Sequence, residues 1–474
     1  MAYRLIQKPL QLRLRPRERQ VMLFAGDGIM ALLALGMALF SWAQGDEWLG
    51  FSITFLQERP EWWFYILPLI WLVLLIDIYD IRRAGRTADT FRGIAIAAGM
   101  SLGIYLLIFF LAPPQLLPRR GVAVFFVAAA LLTTLWRLFY IRIFTAPAFT
   151  RRALIVGAGR SGTVLAAILN QSWPPPFHVV GFIDDDPEKL SMTIEGFSVL
   201  GDHSKIFEVV DNEHVSDIII SISGQIDART FEMLTLAEEQ GIEVTTMPVV
   251  YEELLGRVPV YLLQSDWILR TFFDQAHTEG VFETLKRLID ILGGIIGTLI
   301  LLPILPLIAL VIFIDSGAPI FYSQVRLGQR GKPYRILKFR TMRQDAEKDG
   351  LAKAAVKDDD RVTRVGKILR KSHLDELPQF INILRGDMSL VGPRAERPEI
   401  VDEYQKNIPF YRGRLLVRPG LTGWAQVNYG YASNVEQNAI KLEYDLYYIM
   451  HRNLSLDFTI MLRTVGTVIG FRGQ

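Results

Sequence analysis

Four apolar runs fill the first third of the chain, and they restrict its possible folds more than any other feature. Each run approaches or exceeds the roughly 20 residues that a helix needs to cross a bilayer. The runs cover residues 21–43, 62–76, 93–112 and 121–144. A chain of 474 residues that is 51% hydrophobic is also more apolar than an ordinary soluble enzyme. We therefore expect a four-helix transmembrane domain over residues 1–148.

Charged residues flank these runs unevenly. Lysine and arginine are concentrated before the first run, between the second and third, and after the fourth, whereas the loop after the first run is acidic. Because positively charged loops stay on the cytoplasmic side, both ends of the bundle are expected in the cytoplasm. Asp27 is a rare charge within a run, and both a functional and an interfacial role are open for it. The runs carry no pattern typical of a channel or carrier, which favours an anchor.

Composition excludes several classes of chemistry. The sequence contains no cysteine, which excludes disulfides, thiolate metal sites and cysteine nucleophiles. Its net charge is only +2, so any basic patch is local and balanced by acidic residues elsewhere. No nucleic-acid partner is expected.

Residues 149–279 have the pattern of a Rossmann-like α/β domain. An apolar strand runs into Gly157, Gly159 and Gly162 in the spacing GxGxxG, and an acidic cluster, Asp184–Asp186, follows the next strand. Glycines in this context let a phosphate approach a helix N-terminus, and an acidic residue suits a ribose. An occupied nucleotide site and a glycine loop kept only for the fold are both open.

A fifth apolar segment, residues 291–314, is long enough to span a membrane but is interrupted by Pro303 and Pro306. Proline removes a backbone hydrogen bond and kinks a helix. Both flanks of the segment are basic, and a simple crossing would put the rest of the chain outside the cytoplasm, away from nucleotide-activated substrates. We therefore expect a re-entrant helix over about residues 287–314 that enters and leaves the same leaflet. A fifth crossing is the alternative.

The stretch from Arg361 to Phe380 combines a basic amphipathic helix with two adjacent carboxylates, Asp375 and Glu376. Apolar residues recur there at helical spacing, and a second helix is expected to begin with Asp375 as its N-cap. Carboxylates in a strongly positive site suit the handling of phosphates and a divalent metal. A solvated basic helix with an acidic cap is the alternative that these residues leave open.

Four motifs occur in order after the fifth apolar segment: Lys338–Met342, Asp375–Pro378, Gly386–Arg394 and Arg418–Asn428. Together they resemble the bacterial sugar transferase family, the polyprenyl-phosphate hexose-1-phosphate transferases, in its large monotopic branch. The resemblance extends from about Lys286 to the C-terminus. It implies a membrane α-helical bundle, a Rossmann-like α/β middle domain and a monotopic, mostly α catalytic domain with a re-entrant membrane helix.

The resemblance also implies a reaction. Members of the family transfer a sugar 1-phosphate from a UDP-sugar to undecaprenyl phosphate at the cytoplasmic face of the bacterial inner membrane, and release UMP. This reaction initiates O-antigen, capsule or exopolysaccharide synthesis, and glucose or galactose is the favoured sugar here. The catalytic domain would cover residues 280–474, with Asp375 as the covalent nucleophile and Glu376 as the Mg²⁺ ligand. A carboxylate is a usable nucleophile at phosphorus, and Mg²⁺ neutralises phosphate charge.

Five further residues are expected by resemblance to surround the phosphates, and each also has a structural alternative. They are Lys338, Arg340, Arg370, Arg394 and Asp457. Lys338 and Arg340 could lie on the exposed side of a strand, and Arg370 could face the C-terminal dipole of a helix. Arg394 could form a turn, and Asp457 could be a helix N-cap.

The chain departs from the family pattern at three positions. Leu302 stands before Pro303 where many members have serine, which removes a serine-assisted helix break. Ala395 replaces the proline that usually follows Pro393-Arg394, which loosens that turn. His373 stands where serine is common, and a surface histidine is the favoured interpretation of it.

Two other functions are open. A nucleotide-sugar dehydratase or epimerase that uses NAD in the middle domain would need a local Tyr-x-x-x-Lys pair, but the pair Tyr334 and Lys338 lies far downstream. A non-catalytic platform for polysaccharide assembly, which could form a homodimer, is compatible with the transferase hypothesis. The partners expected on the leading hypothesis are a UDP-sugar, undecaprenyl phosphate and membrane lipid.

Overall fold

The computed structural model describes residues 16–111, 118–144, 151–262 without 173, 174, 223 and 225, 280–343, and 360–469 without 431 and 433. The basic residues before Pro16, on which part of the predicted orientation rests, lie outside these ranges. The chain divides by its contacts into two compact units, Met1–Val250 and Tyr251–Gln474.

The first unit begins with apolar helices. Their bounds are α1 Pro16–Ala43, α2 Ile53–Glu58, α3 Leu67–Leu74, α4 Ile81–Ala84, α5 Thr87–Leu111 and α6 Arg119–Phe144. Three stretches within them are long and apolar enough to cross a membrane: Glu18–Ala43, Thr87–Phe110 and Arg119–Ile143. They coincide with the first, third and fourth predicted runs.

The second predicted run is shorter than expected. A 3-10 helix, Trp62–Ile66, leads into α3, which has a proline in its first turn, and the apolar helical stretch ends at Leu74. At 1.5 Å per residue this stretch is about 20 Å long, less than the roughly 30 Å of a hydrocarbon core. The described helix is therefore shorter than a full span, and a second crossing by this run stays a prediction.

Asp27 has a partner inside the bundle. The Arg137 guanidinium of α6 lies 2.6 Å from the carboxylate of Asp27 in α1, and both side chains are fully buried. Arg137 also donates to the carbonyl of Ile78 at 2.9 Å. Charges within apolar bundles face the interior and pair with each other. Asp27 therefore joins two helices, rather than facing an interface.

The rest of the first unit is the predicted α/β region. Its strands are β1 Arg151–Val156, β2 Phe177–Ile183, β3 Thr193–Ile194, β4 Phe197–Gly201, β5 Asp217–Ile220 and β6 Glu243–Thr246. They form one sheet in the order β3-β4-β2-β1-β5-β6, parallel throughout except for the short β3. The helices are α7 Arg160–Gln171, α8 Ile206–Glu213, α9 Ala228–Glu239 and α10 Met247–Leu255, the last of which continues into the second unit.

The second unit contains one long apolar helix followed by short elements. The helices are α11 Gly280–Ser316, α12 Arg364–Lys371, α13 Gln379–Arg385, α14 Pro398–Tyr404, α15 Trp424–Asn428, α16 Val435–His451 and α17 Leu454–Ile469. The strands are β7 Phe321–Leu327, β8 Pro333–Phe339, β9 Ser389–Val391 and β10 Gly420–Thr422, in an antiparallel β7-β8 pair and a parallel β9-β10 pair.

Helix α11 corresponds to the fifth apolar segment. It is a single helix of 37 residues with Pro303 and Pro306 inside it, so the expected helix-break-helix is one continuous element. An apolar helix tolerates proline where neighbouring groups satisfy the freed carbonyls. Re-entry into the membrane stays a prediction.

Residues before the predicted boundary at 279 belong to the core of the second unit. Val258 and Val260 are 1% and 2% exposed and pack with α16. The indole N–H of Trp424 donates to the carbonyl of Gly256 at 2.7 Å. The backbone N–H of Val258 donates to the carbonyl of Glu443 at 3.1 Å. The core of the second unit therefore begins upstream of residue 280.

This packing predicts that a fragment starting at residue 280 is less stable than one starting at residue 251. Two buried valines contribute about 2 kcal/mol each, so we expect a loss of about 4 kcal/mol and a clearly lower Tm in the same detergent. Thermal unfolding of the two purified fragments measures the difference. Equal Tm values would contradict the assignment of residues 251–262 to this core.

Candidate active site

The carboxylate pair lies on a short turn between two helices. Asp375 and Glu376 occupy a 3-10 turn, Leu374–Glu376, and His373 before it adopts a left-handed backbone with φ of 56° that ends α12. Helix α13 begins after Pro378, without a side-chain cap. The prediction that Asp375 caps this helix is therefore wrong, and its side chain is available for chemistry.

The long apolar helix supports this turn. Leu374 and Leu377, on either side of the pair, pack against the buried face of α11. Arg287 of α11 donates to the carbonyls of Ile383 and Leu384 at 2.7 and 2.8 Å, at the end of α13. The two carboxylates are thus held against the helix that is expected to enter the membrane.

Glu376 binds two cations at once. One of its oxygens, Oε1, accepts from Lys338 Nζ at 2.6 Å and from Arg394 Nη2 at 2.8 Å. Burial alone would raise the pKa of Glu376, but the charges of Arg394 and Lys338 hold it well below its usual range. Glu376 is therefore ionised. The two cations come from β8 and from the turn after β9, and the predicted association of all three residues is observed.

Asp375 has a different environment although it is the next residue. It is 8% exposed, and among the described residues no hydrogen bond to its carboxylate is found. Burial, followed by the charge of Glu376, raises the pKa of Asp375, while Lys338, Arg370 and Arg394 oppose this rise. A buried carboxylate without hydrogen-bond donors is a stronger nucleophile than a solvated one once it is ionised.

Two predicted phosphate contacts differ in their placement. The Nε of Arg370 donates to Thr341 Oγ1 at 2.9 Å, and its charge acts on Asp375. Arg340 instead donates to the carbonyl of Ser316 at 2.8 Å and to that of Gly317, at the C-terminal end of α11. Cations are stabilised at that end of a helix. The structure therefore brings Arg370 to the pair, and uses Arg340 to fix β8 to α11.

Asp457 lies in a buried link between helices. It accepts from Lys286 Nζ of α11 at 2.5 Å and from the Tyr448 hydroxyl of α16 at 2.8 Å. It does not cap α17, because the Asn453 side chain accepts from the backbone of Leu456 there, at 2.9 Å. The helix-cap alternative is wrong. The observed contacts of Asp457 are with these two side chains and not with the carboxylate pair.

The sequence analysis missed Asn382, which positions Lys338. Asn382 is fully buried and its side chain joins α13 to β8, accepting from the backbone of Leu337 at 3.0 Å and donating to the carbonyl of Arg335 at 2.8 Å. Lys338 follows Leu337 in β8, so these two hydrogen bonds of Asn382 fix the position of the Lys338 ammonium group opposite Glu376. A single asparagine within the apolar run Phe380–Leu384 was the available signal.

The pair fits a metal only in part. Among the described residues, no group of three or more histidine, aspartate or glutamate side chains could hold a metal ion. Mg²⁺ commonly binds one or two carboxylates and completes its octahedron with substrate phosphates and water. Glu376, with Asp375 beside it, suits that second arrangement rather than a cage made by the protein alone.

The glycine loop of the middle domain is engaged by its own chain. Gly157 has φ of 107°, and a Cβ on Gly162 would collide with the Gly157 carbonyl, so both glycines are required by the fold. The backbone N–H of Ala158 donates to Asp184 at 2.6 Å, and Lys189 lies 3.2 Å from the same carboxylate. An N–H that could meet a phosphate is thus bound internally, which favours the structural interpretation of the loop.

Comparison with known proteins follows the same division of the chain. The family model described as bacterial sugar transferase matches residues 281–471, and one described as CoA-binding domain matches residues 74–248. The first match contains every member of the carboxylate site. The second contains the six-stranded sheet.

Three relatives are informative. A UDP-N-acetylgalactosamine-undecaprenyl-phosphate N-acetylgalactosaminephosphotransferase from Aeromonas hydrophila is 40% identical over 48% of this chain and about half (52%) of its own length. Two UDP-glucose:undecaprenyl-phosphate glucose-1-phosphate transferases also match. The one from Xanthomonas campestris pv. campestris is 29% identical over 85% of each chain. The one from Caulobacter vibrioides is 44% identical over 39% of this chain and 69% of its own. On these matches and on the site that they cover, this integral membrane protein belongs to the bacterial sugar transferase family.

Proposed function

We propose that the protein transfers a sugar 1-phosphate from a UDP-sugar to undecaprenyl phosphate and releases UMP. The observation that carries the proposal is the asymmetry of the carboxylate pair, in which Glu376 is bound by two cations and Asp375 by no hydrogen-bond donor among the described residues. The relative that matches 85% of the chain is named for glucose, so glucose is favoured over galactose as the sugar.

The reaction proceeds in two displacements at one phosphorus. A carboxylate oxygen of Asp375 attacks the phosphorus that carries the sugar. The new O–P bond replaces the bond to the bridging oxygen, and the electron pair leaves on UMP. An oxygen of undecaprenyl phosphate then attacks the same phosphorus and displaces Asp375, which regenerates the free enzyme. This order is a ping-pong mechanism with a covalent intermediate.

The cations around the pair stabilise the charge that moves during these steps. Arg394 and Arg370 supply guanidinium groups, which suit bidentate contact with phosphate oxygens, and Lys338 supplies a point charge. Glu376 would hold Mg²⁺, which when bound neutralises the diphosphate and the departing UMP. Because Glu376 Oε1 already binds Lys338 and Arg394, the substrate phosphates would compete with it for these cations.

The membrane arrangement is part of the proposal. The turn with Asp375 packs on α11, so a re-entrant α11 would hold the nucleophile at the cytoplasmic surface of the bacterial inner membrane. A lipid phosphate and a soluble UDP-sugar both reach that surface. We also propose that the reaction initiates synthesis of a surface polysaccharide. Both termini of the chain would lie in the cytoplasm, and the protein would form a homodimer.

The direct test is a panel of UDP-sugars incubated with undecaprenyl phosphate and the purified protein, scored by UMP release. We expect UMP release with UDP-glucose, dependent on the lipid for multiple turnovers. Release of no UMP with any UDP-sugar of the panel would reject the transferase proposal.

Removal of divalent metal is expected to abolish this activity. Without Mg²⁺ the diphosphate of the UDP-sugar and the departing UMP keep their full charge, so UMP release should fall to background in excess EDTA. Titration of Mg²⁺ back into the same sample should restore it. UMP release that is unchanged by EDTA would contradict a metal role for Glu376.

A further inference from the structure

The turn that carries Arg394 is fixed at four consecutive carbonyl groups. Two of these hydrogen bonds come from backbone N–H groups, Gly420 to the carbonyl of Pro393 at 2.9 Å and Leu327 to that of Glu396 at 3.0 Å. The other two come from side chains, the buried Arg414 to the carbonyl of Arg394 at 3.1 Å and the half-buried Arg326 to that of Ala395 at 3.3 Å. Four successive anchored carbonyls leave little freedom to a segment with no helix or long strand of its own.

The two arginines are themselves held by a buried ionic network. The Glu396 carboxylate lies 3.0 Å from Lys441, 3.6 Å from Arg414 and 3.8 Å from Arg326. Arg414 also pairs with Asp445 at 2.7 Å, and both side chains are almost fully buried. Burial would raise the pKa of Glu396, but the cations of Lys441, Arg414 and Arg326 lower it to about 2. Glu396 is therefore ionised at physiological pH and ties three cations together.

The network restrains the backbone at position 395. A loosened turn is expected there from the sequence, because alanine lacks the fixed φ of proline. Arg414 binds the carbonyl of Arg394 and Arg326 binds the carbonyl of Ala395, and these two carbonyls precede and follow the nitrogen and Cα of Ala395. These two hydrogen bonds therefore restrict the backbone torsions of Ala395, as the ring of a proline at that position would. Arg394, whose carbonyl Arg414 binds, carries at the end of its side chain the guanidinium that lies 2.8 Å from Glu376.

We propose that Glu396 and Arg414 are positioning residues, which hold the turn so that Arg394 points at Glu376 and at the phosphates of the substrate. The proposal rests on the transferase function proposed above. Neither residue touches the reacting atoms. The network acts through the backbone of residues 393–396, and a guanidinium displaced by about 1 Å loses its contribution to the transition state.

The test is Glu396→Gln, which keeps the shape of the side chain and removes its charge. Residues that orient an active-site group typically contribute about 10- to 100-fold to activity, so we expect kcat for UMP release to fall by that factor. KM for the UDP-sugar should change less than kcat, because a displaced Arg394 loses contacts that form in the transition state. Glu399→Gln makes the same chemical change on an exposed side chain of α14 and should keep wild-type rates.

Rescue by proline separates positioning from general destabilisation. Ala395→Pro in the Glu396→Gln background should recover at least about tenfold of the lost kcat, because the ring fixes φ at the turn without the network. Ala395→Pro alone should keep wild-type activity. If Glu396→Gln does not fold, Lys441→Gln removes a single cation from Glu396 and is expected to give a smaller loss with the same rescue.

Three results would overturn the proposal: full kcat in Glu396→Gln, a loss that proline does not restore, or inactivity of the single Ala395→Pro variant. Each is scored against wild-type protein assayed in the same preparation. Wild-type protein that releases no UMP rejects the transferase function itself. Active wild-type protein with an unaffected or unrescued variant rejects only the positioning role.

Discussion

Asp375→Asn is expected to reduce UMP release by about 10⁴-fold or more. Asparagine preserves the size and burial of the side chain but has no anionic oxygen to attack phosphorus, and loss of a covalent nucleophile typically costs at least that factor. Glu376 is the adjacent carboxylate among the described residues, and it is already engaged by Lys338 and Arg394. Initial rates of UMP release from UDP-glucose measure the effect.

The matched control is Asp402→Asn, which makes the same substitution on an exposed residue of α14. We expect wild-type rates and an unchanged Tm for it. Turnover in Asp375→Asn within tenfold of the wild type would reject Asp375 as the nucleophile, provided that both variants fold equally well.

Glu376→Gln is the second substitution for which we expect a large effect. It removes the charge that Lys338 and Arg394 share, and these two side chains are 19% and 41% exposed. Because solvent reaches both cations, the loss of stability should be smaller than the about 3–5 kcal/mol of a fully buried pair. Loss of an electrostatic group in a preorganised site costs about 10²- to 10³-fold in kcat. The variant should also require more Mg²⁺ for half-maximal rate. Rates measured over a Mg²⁺ titration, together with Tm, separate the two contributions.

Glu403→Gln, on an exposed position of α14, controls for the loss of a glutamate charge. It should leave the rate and the Mg²⁺ titration unchanged. A Glu376→Gln variant with a lower Tm but a wild-type Mg²⁺ requirement would assign Glu376 a purely structural role.

The sequence predicts the members of the site better than their individual contacts. Lys338, Glu376 and Arg394 are far apart in the chain, yet their motifs associate them, and the structure brings their charges together. Arg340 follows Lys338 by two residues, so the sequence pattern would place both on one side of a strand and cannot separate their roles. Only the end of α11, with its open carbonyls, determines that Arg340 binds there.

The fold is predictable where periodicity and length are strong. The three long apolar helices of the first unit and the βαβ pattern from residue 151 are of this kind. The length of the second apolar helix and the start of the core of the second unit are not predictable from the sequence, for different reasons. Hydropathy gives no sign that residues 62–66 form a 3-10 helix. Val258 and Val260 join the core through contacts with α16, about 180 residues later, which no local pattern reports.

The most direct test of the central claim is the mass of the protein after incubation with UDP-glucose and Mg²⁺ in the absence of undecaprenyl phosphate. We expect a burst of UMP, at most one per active site, and a glucose phosphate adduct on the peptide that contains Asp375. Undecaprenyl phosphate added afterwards should remove the adduct. Lipid-dependent UMP release with no burst, and no adduct on wild-type protein, would contradict a covalent intermediate and indicate direct transfer to the lipid.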